Sequence, residues 1–194
     1  MSLRCVAVLS FAILASCRGA EDSPGPAAAR AKTVAPPKTP DAVPLTDADR
    51  ALVASRSNPW RSVSDGDLDR DIAFALTEAK ASKKRVLLDF VADWCDDCQE
   101  VTRVLKVPPA SDVAASAYVV VPVNVGAWDR AERLRTLYGV KRIAALVVLA
   151  ADGTRVAQTT LEPVSNKTEL TPVALAAWLT QPVDDASAVP KGTP

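Results

Sequence analysis

Between residues 60 and 181 apolar side chains recur with two different periods, and each period predicts a different kind of element. Leu68, Ile72, Leu76 and Ala79 lie three and four positions apart, one face of a helix that Ser64 or Asp65 caps. Lys83-Lys84-Arg85 ends it, with cations placed at the negative end of the helix dipole. Residues 86–91, Val-Leu-Leu-Asp-Phe-Val, are a run fit for a strand buried on both faces. Helical spacing returns at Val101, Val104 and Leu105 and stops at Pro108-Pro109. Residues 118–123 form a second buried-strand run, and 129–138 a helix ended by Gly139. Residues 146–150 and 155–159 flank Ala151-Asp152-Gly153 as a hairpin, and 171–180 is a last helix with Pro172 in its first turn. With a short strand at 60–63, the order is β-α-β-α-β-α-β-β-α, an α/β domain over 59–182.

The rest of the chain lacks such periods. Residues 18–58 are rich in Pro, Ala, Asp, Lys and Thr, and cannot bury enough surface to offset their ordering entropy. They are expected to form a disordered tether with a typical reach of roughly 35 Å. Within it, 46–54 fits one amphipathic helix, capped by Thr46 with Asp49 three residues on. Residues 183–194 are expected to be a disordered tail.

Residues 1–17 read as a targeting segment. Arg4 supplies the positive start, 6–14 an apolar run too short to span a bilayer, and Leu14-Ala15-Ser16 small residues before Cys17. Leu-Ala-Ser-Cys resembles the lipobox of bacterial lipoproteins. That resemblance implies cleavage before Cys17, acylation of Cys17 and loss of Cys5 with the signal, giving stable anchoring without a spanning helix. The alternative is an ordinary secretory signal ending near Ala20, which leaves Cys17 unpaired.

Charge narrows the function classes. With 23 Lys and Arg against 23 Asp and Glu over 194 residues, no basic field points to nucleic acid. The four cysteines stand at 5, 17, 95 and 98, and there is no histidine. A structural zinc site needs four ligands, so Cys95 and Cys98 supply at most half of one. A copper-handling thiol protein would need further soft ligands, and no His or Met cluster provides them. No metal or other cofactor is therefore expected.

Cys95 falls where the strand 86–91 hands over to a helix. Unpaired N–H groups and the helix dipole there favour a thiolate, the nucleophilic form. Cys98 lies one turn further on, within reach to attack a mixed disulfide. Asp96 and Asp97 stand between them, and their charge offsets the help that the helix terminus gives the thiolate, which makes Cys95 less acidic and the dithiol a better reductant.

The stretch Asp89-Phe90-Val91-Ala92-Asp93-Trp94-Cys95-x-x-Cys98 resembles the active-site segment of the thioredoxin superfamily. Its Ala-Asp-Trp-Cys-x-x-Cys spelling is especially similar to the C-terminal periplasmic domain of the DsbD family. The likeness runs over about 60–181 in element order, and is residue-specific only near 86–98 and 136–150. It implies a thioredoxin-like fold, a central mixed sheet flanked by helices, with a Cys95–Cys98 redox disulfide at the end of the central strand. It implies that Cys95 attacks, Cys98 resolves, and Asp89 is a buried acid, partly protonated at neutral pH, that relays a proton. Trp94, Ile143 and Ala144 fall where the family meets its substrate.

Two positions depart from the family. The gap-free match over 139–146 puts Ala144 where the family has a cis-proline, and Pro122 stands where it has a lysine. A cis bond before a non-proline residue costs about 2.5–4 kcal/mol, so Ile143–Ala144 is expected to be trans. Asn166-Lys167-Thr168 matches a glycosylation sequon, which carries little meaning in a bacterial-type lipoprotein. The resemblance implies a lipid-anchored thiol–disulfide oxidoreductase on the periplasmic side of a bacterial membrane. It would reduce protein disulfides with electrons from an unidentified thiol donor. The alternative is a redox-inactive thioredoxin-fold binding module, which the loss of the cis-proline favours.

Overall fold

The computed structural model describes residues 45–161 and 169–184. Cys5, Cys17, the tether up to 44, the sequon at Asn166 and the tail from 185 lie outside the described residues. The apolar run between Lys84 and Ala92 forms strand β1, Arg85–Val91, in which every residue after Arg85 is buried. A strand with no solvent-facing position must have neighbours on both edges and cover on both faces. Strand β2, Tyr118–Asn124, lies parallel to one edge, and β3, Ala145–Leu149, antiparallel to the other. Strand β4, Arg155–Thr160, completes a four-stranded mixed sheet in the order β2-β1-β3-β4.

Six helices accompany the sheet among the described residues. They are α1 (Asp47–Ala54), α2 (Asp65–Ser82), α3 (Asp96–Val104), α4 (Ala110–Ala117), α5 (Glu132–Tyr138) and α6 (Pro172–Thr180). Ser64 caps α2, and Leu68, Ile72, Leu76 and Ala79 are all buried, so the four-residue period marks the face that packs on β1 and β2. Thr171 caps α6, with Pro172 in its first turn. No helix among the described residues is long and apolar enough to cross a membrane.

The structure corrects the sequence reading in several places. Residues 60–63 form no strand. They meet the open edge of β2 through individual bonds: Asn124 Nδ2 donates to the Trp60 carbonyl at 2.9 Å, and Arg61 Nη2 donates to the Pro122 carbonyl at 3.3 Å. Pro122 has no N–H to offer a further strand, so this edge accepts side chains in place of a ladder. The sheet accordingly has four strands instead of five.

The helix expected within 46–54 forms as α1, and the ordered stretch runs on through 58, all of it assigned to the tether. Thr46 and Asp49 form the capping box of α1, and a 3-10 turn, Ser55–Ser57, follows it. Charges hold this segment to α2. Asp71, fully buried, accepts from Arg56 Nε at 2.7 Å and pairs with Arg61. Such attachment leaves no apolar period to read. At the other end, Asp184 accepts from Gln158 N at 3.0 Å and from Arg155 Nη1 at 2.7 Å on β4.

The helix placed at 129–138 begins only at Glu132, because Ala131 adopts a left-handed conformation (φ 51°) that a right-handed helix cannot include. Helix α4 has no counterpart in the sequence pattern. Its small residues bury only Ala110 and Ala114, too slight a period to separate from loop.

Candidate active site

Beyond Val91 the backbone turns, with Cys95 N donating to the Ala92 carbonyl at 3.2 Å, and enters α3. Cys95 is the N-cap of that helix, in an extended conformation (φ −95°, ψ 109°). Its Sγ accepts a hydrogen bond from the Cys98 backbone N–H at 3.1 Å. A cap atom in this position receives one of the orphan donors of the first turn, which stabilises charge on it. The two cysteines are joined as a disulfide, with Cα atoms 5.2 Å apart. Cys95 is 7% exposed and Cys98 fully buried, so Cys95 is the less covered sulfur but not an open one. The exposed apolar side chain at this turn is Trp94, at 53%.

Both sides of the turn are tied down. Trp94 Nε1 donates to the Gly126 carbonyl at 2.8 Å, and Gln99 Nε2 donates to the Asp93 carbonyl at 2.9 Å. Gly126 has φ +58°, and a Cβ there would collide with Asp129 Oδ1, so only glycine fits where the two loops meet. This support from the segment after β2 had no sequence signal beyond a single glycine. Asp96 and Asp97 occupy the first turn of α3 and are exposed, as their place between the cysteines implied.

Asp89 is 3% exposed in the middle of β1, and its Oδ1 has no hydrogen-bond partner. Burial alone pushes its carboxyl up to about 7. In register it lies between Pro122 of β2 and Leu146 of β3, neither of which brings charge. The sequence reading of Asp89 as a buried acid matches this environment.

Ala144 lies one residue before β3, whose Ala145 pairs with Phe90, so the 143–144 segment borders the end of β1. Ala144 is 2% exposed and shares a small cavity with Val101 of α3, Leu146, Leu170 and Leu175. Ile143 is half-buried. The Ile143–Ala144 bond is cis, which overturns the trans expectation. That expectation weighed only the neighbours in sequence. The backbone here is set by the pairing of β3 and the packing of Ala144 beneath α3, neither of which is local.

Known proteins place this arrangement. A family model described as thioredoxin-like matches residues 67–174. Among solved structures, a disulphide isomerase from Xylella fastidiosa Temecula1 is 26% identical, with a TM-score of 0.55 over 63% of this chain and 95% of that one. The DsbD C-terminal domain of Neisseria meningitidis in its oxidised form is 22% identical, with a TM-score of 0.47 over 62% of this chain and 98% of the other. A thioredoxin from Thermus thermophilus is 24% identical, with a TM-score of 0.44 over 56% and 80%. No curated protein sequence matches significantly. With a mixed sheet flanked by helices and a Cys-x-x-Cys disulfide where β1 meets α3, the chain belongs to the thioredoxin-like family.

Proposed function

We propose that the protein is a membrane-anchored, extracytoplasmic thiol–disulfide oxidoreductase that reduces protein disulfides. The observation that carries this reading is the place of Cys95, an N-cap sulfur bonded to Cys98 and hydrogen-bonded by its N–H. In the reduced protein, the Cys95 thiolate attacks one sulfur of a substrate disulfide. A mixed disulfide forms, and the other substrate sulfur leaves as a thiolate that takes a proton. Cys98 then loses its proton and attacks Cys95 Sγ, releasing the second substrate thiolate and closing the Cys95–Cys98 bond. Two electrons pass from the dithiol to the substrate, and a thiol donor restores them.

Asp89, with its carboxyl near 7, accepts the Cys98 proton and returns it to solvent. Trp94, Ile143 and Ala144 shape the approach of the substrate. Leu14-Ala15-Ser16-Cys17 and the Pro-rich stretch behind it support the anchored, periplasmic part of this reading. The relative from Xylella is named a disulphide isomerase, so isomerisation belongs to the same reading. Insulin reduction with a chemical electron donor is the test. Activity that disappears in Cys95→Ser supports the proposal. Inactivity of the wild type favours the second reading, a redox-inactive binding module.

A further inference from the structure

The segment between β2 and α5 is fixed along nearly its whole length. Val125 N donates to the Val91 carbonyl at 2.9 Å, which ties the segment to the end of β1. Gly126 N donates to Asn124 Oδ1 and Ala127 N to Asp129 Oδ1, while Arg130 N returns to the Val125 carbonyl. Arg135 lies over the Trp128 ring at 5.0 Å and donates to the carbonyls of Trp128 and Arg130. A backbone held this firmly needs no further loop ordering on binding, as suits a recognition element.

Three arginines belong to this region, and two are engaged. Arg135 serves Trp128, and Arg133 pairs with Asp69. The guanidinium of Arg130 has no carboxylate partner among the described residues, and the residue is exposed. Its Cδ and Nε lie 3.2 Å from the point where a Cβ on Gly126 would stand, so the side chain crosses Gly126. The carbonyl of that same Gly126 holds the Trp94 indole, immediately before Cys95. Gly126 is thus approached both by the Arg130 side chain and by the exposed tryptophan of the redox turn. The rim also carries exposed Asp93, Asp96 and Asp97, and exposed Lys141 and Arg142 before Ile143.

We propose that Arg130 is a specificity residue that pairs with a carboxylate flanking the disulfide of the partner protein. This deepens the reductase reading and rests on it. A guanidinium fork matches a carboxylate in two parallel hydrogen bonds, a geometry that a point charge does not supply. A rim charge acts chiefly on encounter, so its effect falls as salt rises.

The test uses three synthetic disulfide peptides that differ only in the residues flanking the cysteine, set to Glu, Gln or Lys. Their reduction by wild type, Arg130→Gln and Arg130→Glu is followed as kcat and KM at low and high salt. The readout is the Glu-to-Lys ratio of kcat/KM within each variant, which a general loss of folding or chemistry does not move. Wild type should prefer the Glu peptide by about three- to tenfold, expressed in KM and reduced at high salt. Arg130→Gln should shrink the ratio and Arg130→Glu should invert it. An equal ratio in wild type and Arg130→Glu overturns the assignment and leaves the reductase reading standing. Failure of wild type to reduce even the Gln peptide removes both.

Discussion

Asp89 and Pro122 stand opposite each other across the parallel pair of β1 and β2. The residue facing the buried carboxyl therefore has neither charge nor a side-chain donor. Burial acts unopposed, and the carboxyl rises from 3.8 to about 7. The native state consequently holds a proton that the unfolded chain releases. The stabilisation this gives is complete below 3.8 and is lost as pH rises through 7.

Asp89→Asn should therefore be more stable than wild type at pH 8, by on the order of 2–4 kcal/mol, and nearly equal to it at pH 3.5. Urea unfolding of the oxidised proteins at the two pH values measures this. A gain of the same size at both would show that burial of charge is not the cause. The same variant should slow release of the mixed disulfide most at neutral pH, where the proton acceptor is removed.

The first turn of α3 carries Asp96 and Asp97, both exposed, beside the cap sulfur. Their negative charge opposes the thiolate that the helix terminus favours. Asp96→Asn with Asp97→Asn should raise the reduction potential of the dithiol by roughly 10–30 mV. Equilibration with glutathione reads the shift. A potential that stays constant or becomes more negative contradicts the electrostatic reading.

Asp71 is buried between two arginines, whose side chains are 10% and 4% exposed. Replacing it by Ala leaves the buried Arg61 guanidinium without a carboxylate and Arg56 with only the exposed Glu78, and should cost about 3–5 kcal/mol. Loss of α1 from the domain should accompany that cost, visible as faster amide exchange over 47–57 in the folded variant. A loss below ~1 kcal/mol would mean that the cluster is not what attaches this segment.

Cys17→Ser should move the protein from the membrane to the soluble fraction, as expected if acyl chains are its anchor. Fractionation together with mass measurement of the mature N-terminus decides it. Identical partition of wild type and variant removes the lipoprotein reading and leaves the redox chemistry untouched.

What the sequence revealed follows from how local each cause is. Strand β1 was legible because 86–91 is apolar in one unbroken run, and the cap at Cys95 because strand and helix periods meet there. The box of Thr46 and Asp49 was legible for the same reason, since its partners lie three residues apart. The ion cluster of Arg56, Arg61 and Asp71 was not, because no periodicity brings residues 56, 61 and 71 together. Arg61 reaching the carbonyl of Pro122 crosses 61 positions, and that contact replaced the strand expected at 60–63. The cis geometry before Ala144 belongs to the same group, fixed by packing from α3 and by the pairing of β3.

A sheet with an open edge can extend into a neighbouring molecule, and crowding along a surface would favour that stacking. At the β2 edge, proline removes one donor and the arginine at 61 occupies the carbonyl of that same proline. A second copy that approaches this edge finds neither half of a ladder at Pro122. Copies packed side by side gain no added strand there, so local concentration raises the frequency of encounters without turning this edge into a template for fibres.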